Sequence, residues 1–161
     1  MTTIGGLPAH PLIVHAVVVL LPLAAIGTLA VAARPTWRRT LGTPVLLVGL
    51  VGLIGVPLAT TTGEQLQHAL GGGPLVEIHE QRADRLLPFA LAFVVLLAAT
   101  LVLGRRADRA DHVESEMRVR SLTRVATGVG VLAALSGAVV TGLVVWIGQA
   151  GATAVWQSVT G

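Results

Sequence analysis

The chain has no cysteine and no lysine, and little else that is charged or aromatic: 12% and 3% of its residues, respectively. Without cysteine there are no disulfides, no thiol catalysis, no thiolate-ligated clusters and no covalent c-type haem attachment. All 11 basic residues are arginine, and with abundant Ala, Gly, Val and Leu this reads as the product of a high-GC bacterial genome. What replaces charge is apolar sequence. At 53% hydrophobic and a mean hydropathy of +0.80 over 161 residues, the chain lies above the range a soluble core can hide. The pI is near 11.3 but the net charge is only +3, and the arginines lie in short stretches between long uncharged runs. That pattern argues for lipid as the solvent and against nucleic acid as a partner.

Four runs are long enough to cross a hydrocarbon core of about 30 Å at about 1.5 Å per residue. They lie at 12–33, 42–60, 86–103 and 125–147 of a single transmembrane domain. No basic side chain precedes the first run, which is too long for a signal h-region and reads as a retained span. Arg34, Arg38 and Arg39 fill segment 34–41. Arg105, Arg106, Arg109, Arg118, Arg120 and Arg124 fill segment 104–124. Both segments are therefore expected in the cytoplasm. Segment 61–85 balances Arg82 and Arg85 against Glu64, Glu77, Glu80 and Asp84 and is expected outside. The expectation is an all-α, up-down-up-down four-helix bundle in the bacterial cytoplasmic membrane, with both termini outside. Trp37 at one boundary, with Trp146 and Trp156 at the other, suits interfacial anchoring.

Small residues recur every four positions at Ala126, Gly130, Ala134, Ala138 and Gly142, and again at Gly55, Ala59 and Gly63. Such rows admit a neighbouring backbone, within the bundle or in a homodimer. Pro22 and Pro57 predict kinks. Leu20-Leu21-Pro22-Leu23-Ala24 is echoed at Leu86-Leu87-Pro88-Phe89-Ala90, which admits a bundle made of two repeated hairpins.

The chemistry rests on histidine. His10, His15, His68 and His79 all fall at the expected outer side, whereas His112 lies in the cytoplasmic segment, away from them. His15 is inside the first apolar run, where a polar side chain is costly unless it faces the bundle, pairs or binds something. His10 and His15 are five apart, so they face one ion together only if His10 precedes the helix, which Pro11 favours. His79 is the expected partner of His15 from another helix, with Glu80 or Asp84 able to orient it. Two ligand sets stay open. Two imidazoles on different helices can hold haem b across a four-helix bundle, with His15 and His79 as the pair. A zinc or copper ion would draw three or four ligands from His10, His15, His68 and His79, with Glu64, Glu77 and Glu80 nearby. A structural imidazole bonded to a carbonyl of another helix is the bland alternative. The mixed-charge segment from Arg105 to Arg120 reads as a solvated face or a contact for anionic lipid.

Gly6-Leu7-Pro8-Ala9-His10-Pro11-Leu12-Ile13-Val14-His15, with Thr62-Gly63-Glu64 and Val76-Glu77-Ile78-His79-Glu80, resembles the small bacterial membrane proteins grouped as domain of unknown function 2231. The resemblance covers most of the chain and is most specific at His10 to His15 and at His79. Relatives of this group are joined to Rieske-type iron–sulfur domains, which implies electron transfer; a more distant similarity is to membrane cytochromes holding haem b. The expected function is a redox-associated subunit binding haem b, or a metal ion, near the outer leaflet, beside a redox partner. The alternative is a non-catalytic module that packs against or stabilises a partner membrane protein. Neither carries independent catalysis. Acidic residues are absent from the span centres, which disfavours a channel or a proton-coupled transporter.

Overall fold

The computed structural model describes residues 2–71, 73–110 and 116–160. Asp111, His112 and Glu114 of the arginine-rich segment lie outside the described residues. A two-stranded antiparallel hairpin, β1 (Thr3–Ile4) and β2 (Leu7–Pro8), pairs Thr3 with Pro8 and Ile4 with Leu7. Its two-residue turn is Gly5-Gly6, both at positive φ (60° and 82°), a backbone that side chains with Cβ resist. Helix α1 (Ala9–Ala33) follows directly.

Arg34 precedes Pro35 and is extended (φ −129°, ψ 91°), because the proline ring disfavours helical geometry in the residue before it. The break is brief: a 3₁₀ turn, Pro35–Trp37, leads into α2 (Arg38–Leu70). α2 ends at Gly71 in the left-handed region (φ 86°), whose N–H caps the Gln67 carbonyl. α3 (Pro74–Ala83) begins on a first-turn proline, and a tight turn at Asp84 and Arg85 passes into α4 (Leu86–Ala110). α5 spans Glu116–Thr160. Among the described residues, four helical segments are long and apolar enough to span a membrane.

The helices overrun the apolar runs. Much of segments 61–85 and 104–124, which lie between the apolar runs, is helix. Hydropathy marks where lipid surrounds the chain, whereas backbone bonding within a helix continues into polar sequence. Pro22, Pro44 and Pro57 sit inside helices that continue past them.

α1 packs against α2 and α5, and α4 against α5 and α2, closing a four-helix ring with alternating directions. One end carries His10 and His79; the other carries all the arginines except Arg82 and Arg85. At the arginine end Arg105 Nη2 donates to Thr43 Oγ1 at 3.0 Å, Arg39 meets Asp108 at 3.5 Å, and Arg34 lies over the Trp37 ring. At the histidine end Arg82 covers the Trp146 ring, 4.4 Å from its centre.

The two hairpins are equivalent in their contacts. A shift of 69 residues (10 to 79) carries α1 onto the α3–α4 segment. It maps buried Val17, Leu21, Ala24, Ala25, Thr28 and Val31 onto Leu86, Ala90, Phe93, Val94, Leu97 and Thr100, all buried. A shift of 88 (63 to 151) carries α2 onto α5. Cβ atoms added at the paired glycines Gly49 and Gly137 meet equivalent neighbours: Ala24 and Val94 for the first, Phe93 and Ala25 for the second. Gly42 packs on Leu101, and its counterpart Gly130 packs on Ala32, which is Leu101's counterpart. Bulk is exchanged rather than copied: Leu21 sits on Gly52, while the corresponding buried positions hold Ala90 and Val140.

This register differs by three residues from the echo of Leu20–Ala24 in Leu86–Ala90. Three residues approximate one helical turn, so the misaligned strings still place apolar residues on roughly the same face. The row of small residues in α5 does not lie wholly within the bundle. Ala126 and Gly130 are buried, but Ala138 and Gly142 are exposed, because a strict four-residue step drifts by about 40° around a helix of 3.6 residues per turn. The buried line instead runs through Ala126, Gly130, Ala133, Gly137, Val140 and Val144. In α2, by contrast, Gly55 is buried against Val17, and Ala59 and Gly63 form the seat of His10.

Candidate functional site

Position of the first histidine follows from the β-hairpin. Thr2 donates through its N–H and its hydroxyl to Gln65 Oε1 (3.0 and 2.8 Å), and Ala9 N–H closes on the Thr2 carbonyl at 3.0 Å. These bonds hold the start of α1 against α2. The helix therefore begins at Ala9, before His10; Pro11 does not delay it, since a first-turn proline lacks only an N–H that would have no helical partner.

With His10 already helical, the five-residue spacing sends His15 elsewhere. His15 is exposed on the bundle surface, its ring bonded to the Pro11 carbonyl of its own helix. The expectation that His15 faces the bundle and pairs with His79 is thus corrected: the histidine brought to His79 is His10. His10 Nδ1–H donates to the Ala59 carbonyl of α2 at 2.9 Å, and His79 Nδ1–H donates to the Ile147 carbonyl of α5 at 3.1 Å. Each ring lies over a glycine one turn further along. A Cβ at Gly63 would stand 3.0 Å from His10 Cε1, and one at Gly151 would stand 3.1 Å from His79 Cε1. Ala59 maps onto Ile147, and Gly63 onto Gly151, at the same shift of 88 residues. The two histidines are one structural device built twice.

A carbonyl oxygen only accepts hydrogen bonds, so Nδ1 carries the proton in each ring. In the neutral imidazole Nε2 is left as a lone-pair acceptor. Both half-buried rings line one cavity of about 100 Å³, which lies between the two hairpins. Its walls are mainly apolar, with Val14, Val17, Val56, Leu86 and Val144, while Thr60, Gln67, Glu64 and Glu80 add polar groups. The exposed residues Val18, Glu64 and Gly148 place its mouth on the bundle surface.

The remaining candidates are dispersed. His68 is exposed in the last turn of α2, where a basic group complements the carbonyl end of the helix dipole. Asp84 is exposed at the α3–α4 turn, and Glu77 is exposed and accepts from Gln81. Glu64 and Glu80 are on the cavity, but among the described residues no three His, Asp or Glu side chains form a group that could hold a metal ion. The pool of His10, His15, His68 and His79 is therefore not assembled. Sequence reasoning did not find the glycine seat Gly151 or the pairing of His10 with His79; the available signal was the recurrence of His under a shift of 69 residues and of the glycine seat under a shift of 88.

A family model described as Predicted membrane protein (DUF2231) matches residues 6–161, and so takes in both histidines and both glycine seats. The chain belongs to the DUF2231 family. Neither the curated proteins nor the solved structures gave a match. The site of this DUF2231 protein is accordingly read from its own residues.

Proposed function

We propose that this DUF2231 protein is a non-catalytic subunit of the bacterial cytoplasmic membrane that binds a small ring-sized molecule at its outer side, between His10 and His79, beside a redox partner. The arginine end faces the cytoplasm on this reading, which follows the positive-inside rule and leaves the histidine end in the outer leaflet. The observation that carries it is the pair of equivalent imidazoles, each anchored through Nδ1 to a backbone carbonyl and each lining the same apolar cavity. Anchoring one ring nitrogen on a carbonyl is how proteins orient a histidine whose other nitrogen does work.

Size bears on the occupant. A cavity of about 100 Å³ is comparable with the roughly 150 Å³ that admits one benzene ring. A tetrapyrrole spans several such rings, so this volume favours a single-ring occupant over haem b, although the two imidazoles suit haem chemically.

The test is extraction. Protein purified in mild detergent is extracted with organic solvent and compared by mass spectrometry with His15→Ala and with the His10→Ala/His79→Ala double variant. Wild type and His15→Ala should retain the same small molecule, and the double variant should lose it. No retained molecule in wild type, or equal retention by the double variant, overturns the reading. A Soret band in the intact sample would overturn the single-ring assignment and establish haem instead.

A further inference from the structure

We infer that the molecule held between His10 and His79 is a membrane para-hydroquinone in its reduced, dihydroxy form; this rests on the ligand-binding role proposed above and names the ligand's class. Three observations converge. The cavity has the volume of one six-membered ring, its walls are mainly apolar, and its mouth opens beside Val18 and Gly148 on helices apolar enough to cross a membrane. The occupant is then a lipid-soluble ring rather than an ion or a sugar.

Hydrogen-bond polarity supplies the second constraint. With Nδ1–H of each ring given to a carbonyl, each neutral imidazole offers Nε2 as an acceptor only. A ligand that satisfies both must bring two donors. The third constraint is symmetry. His10 and His79 belong to hairpins whose contacts map onto each other when the two halves are exchanged, as in a two-fold relation, so the acceptors come from opposite halves of the bundle. A ring with hydroxyls at opposite ends shares that two-fold relation and presents one O–H to each half. Its alkyl tail leaves by the mouth near Val18 and Gly148 into lipid.

The oxidised form is discriminated against by the same polarity. A quinone's two carbonyl oxygens only accept, and would face two nitrogens that only accept. Both hydrogen bonds are then unmade.

The experiment is titration of the protein in lipid nanodiscs with 2-decyl-1,4-hydroquinone, held reduced, and with 2-decyl-1,4-benzoquinone, followed by Trp146 fluorescence and calorimetry. With each hydrogen bond contributing about fivefold in affinity, the quinol should bind roughly 30-fold tighter than the quinone. The monomethyl ether of the quinol, lacking one donor, should bind about fivefold weaker than the quinol. His10→Ala and His79→Ala should each cost about fivefold, and the double variant should lose the preference for the reduced form. Should the histidine variants fold poorly, Gly148→Leu crowds the mouth of the cavity from a position where an added Cβ meets open space, and should weaken quinol binding at least about fivefold with the bundle intact. Equal binding of quinol and quinone, an undiminished monomethyl ether, or unaltered binding by Gly148→Leu overturns the inference. If decylhydroquinone fails to bind while wild type still retains its extracted molecule in a His10- and His79-dependent manner, the quinol assignment falls and the ligand site stands.

Discussion

Replacing the two glycine seats by alanine tests the duplicated site through stability. Alanine in place of a mid-helix glycine gains roughly 1 kcal/mol of helix propensity. At Gly63 the added Cβ would lie 3.0 Å from His10 Cε1 and 3.1 Å from Nδ1; at Gly151 it would lie 3.1 and 3.2 Å from the same atoms of His79. These contacts are too close for ordinary packing, so each ring must retreat by a few tenths of an ångström from the carbonyl it donates to, at 2.9 or 3.1 Å. Overpacking of this kind costs roughly 1–3 kcal/mol, which exceeds the propensity gain. Gly63→Ala and Gly151→Ala should therefore each destabilise by about 1 kcal/mol, and by similar amounts. Gly142→Ala, where nothing lies within 4 Å, should stabilise or be neutral. Steric-trapping measurements of unfolding in bicelles give the energies, and ¹⁵N-histidine NMR reports whether the Nδ1–H bond has been disturbed. The reasoning is refuted if both seat variants match Gly142→Ala in stability with unshifted imidazole resonances, or if only one of them responds.

Further outcomes follow from the same geometry. His15→Ala should change stability by less than about 0.5 kcal/mol, because its ring is exposed and bonds only to its own helix; a large loss in thermal unfolding would reinstate it as a bundle residue. Gly137→Ala should cost more than Gly104→Ala in the same assay. The first Cβ meets the Ala25 backbone at 3.2 Å and the Phe93 ring at 2.9 Å, whereas the second overlaps only the far part of the flexible Arg38 side chain, which can swing aside. Leu21→Ala should destabilise by about 2 kcal/mol, below the 2.7–5.0 kcal/mol seen in a soluble core, because lipid is as apolar as the bundle and mainly packing is lost. Since the chain has no native cysteine, Gln65→Cys should react with a membrane-impermeant maleimide in intact cells, and Ser121→Cys only after permeabilisation; the reverse result inverts the proposed orientation.

The four spans were legible because a run such as 12–33 declares itself by length and absence of charge, without needing a partner. The histidine pairing was not, because it depends on register between hairpins. The proline-containing strings around Pro22 and Pro88 suggested one alignment, and the buried residues chose another, displaced by nearly a helical turn. His15 misled for a different reason. Its place in an apolar run implied burial, but a lone imidazole near a helix start can satisfy one nitrogen on its own helix, here at Pro11, and remain at the surface. The spacing of His10 and His15 did carry the answer once the helix start was known. Nothing in the local sequence announced that a hairpin tied to Gln65 would set that start before His10.

Each histidine is bonded within its own half: His10 reaches from α1 to α2, and His79 from α3 to α5. The cavity, by contrast, exists only where the halves meet. The halves are thus two preassembled jaws. Sliding or parting them breaks neither imidazole bond, and the size of the gap is governed by contacts far from it, such as Gly42 on Leu101 and Gly130 on Ala32 towards the arginine end. Selection on those distant glycine contacts would retune which molecule is gripped while leaving the gripping groups untouched.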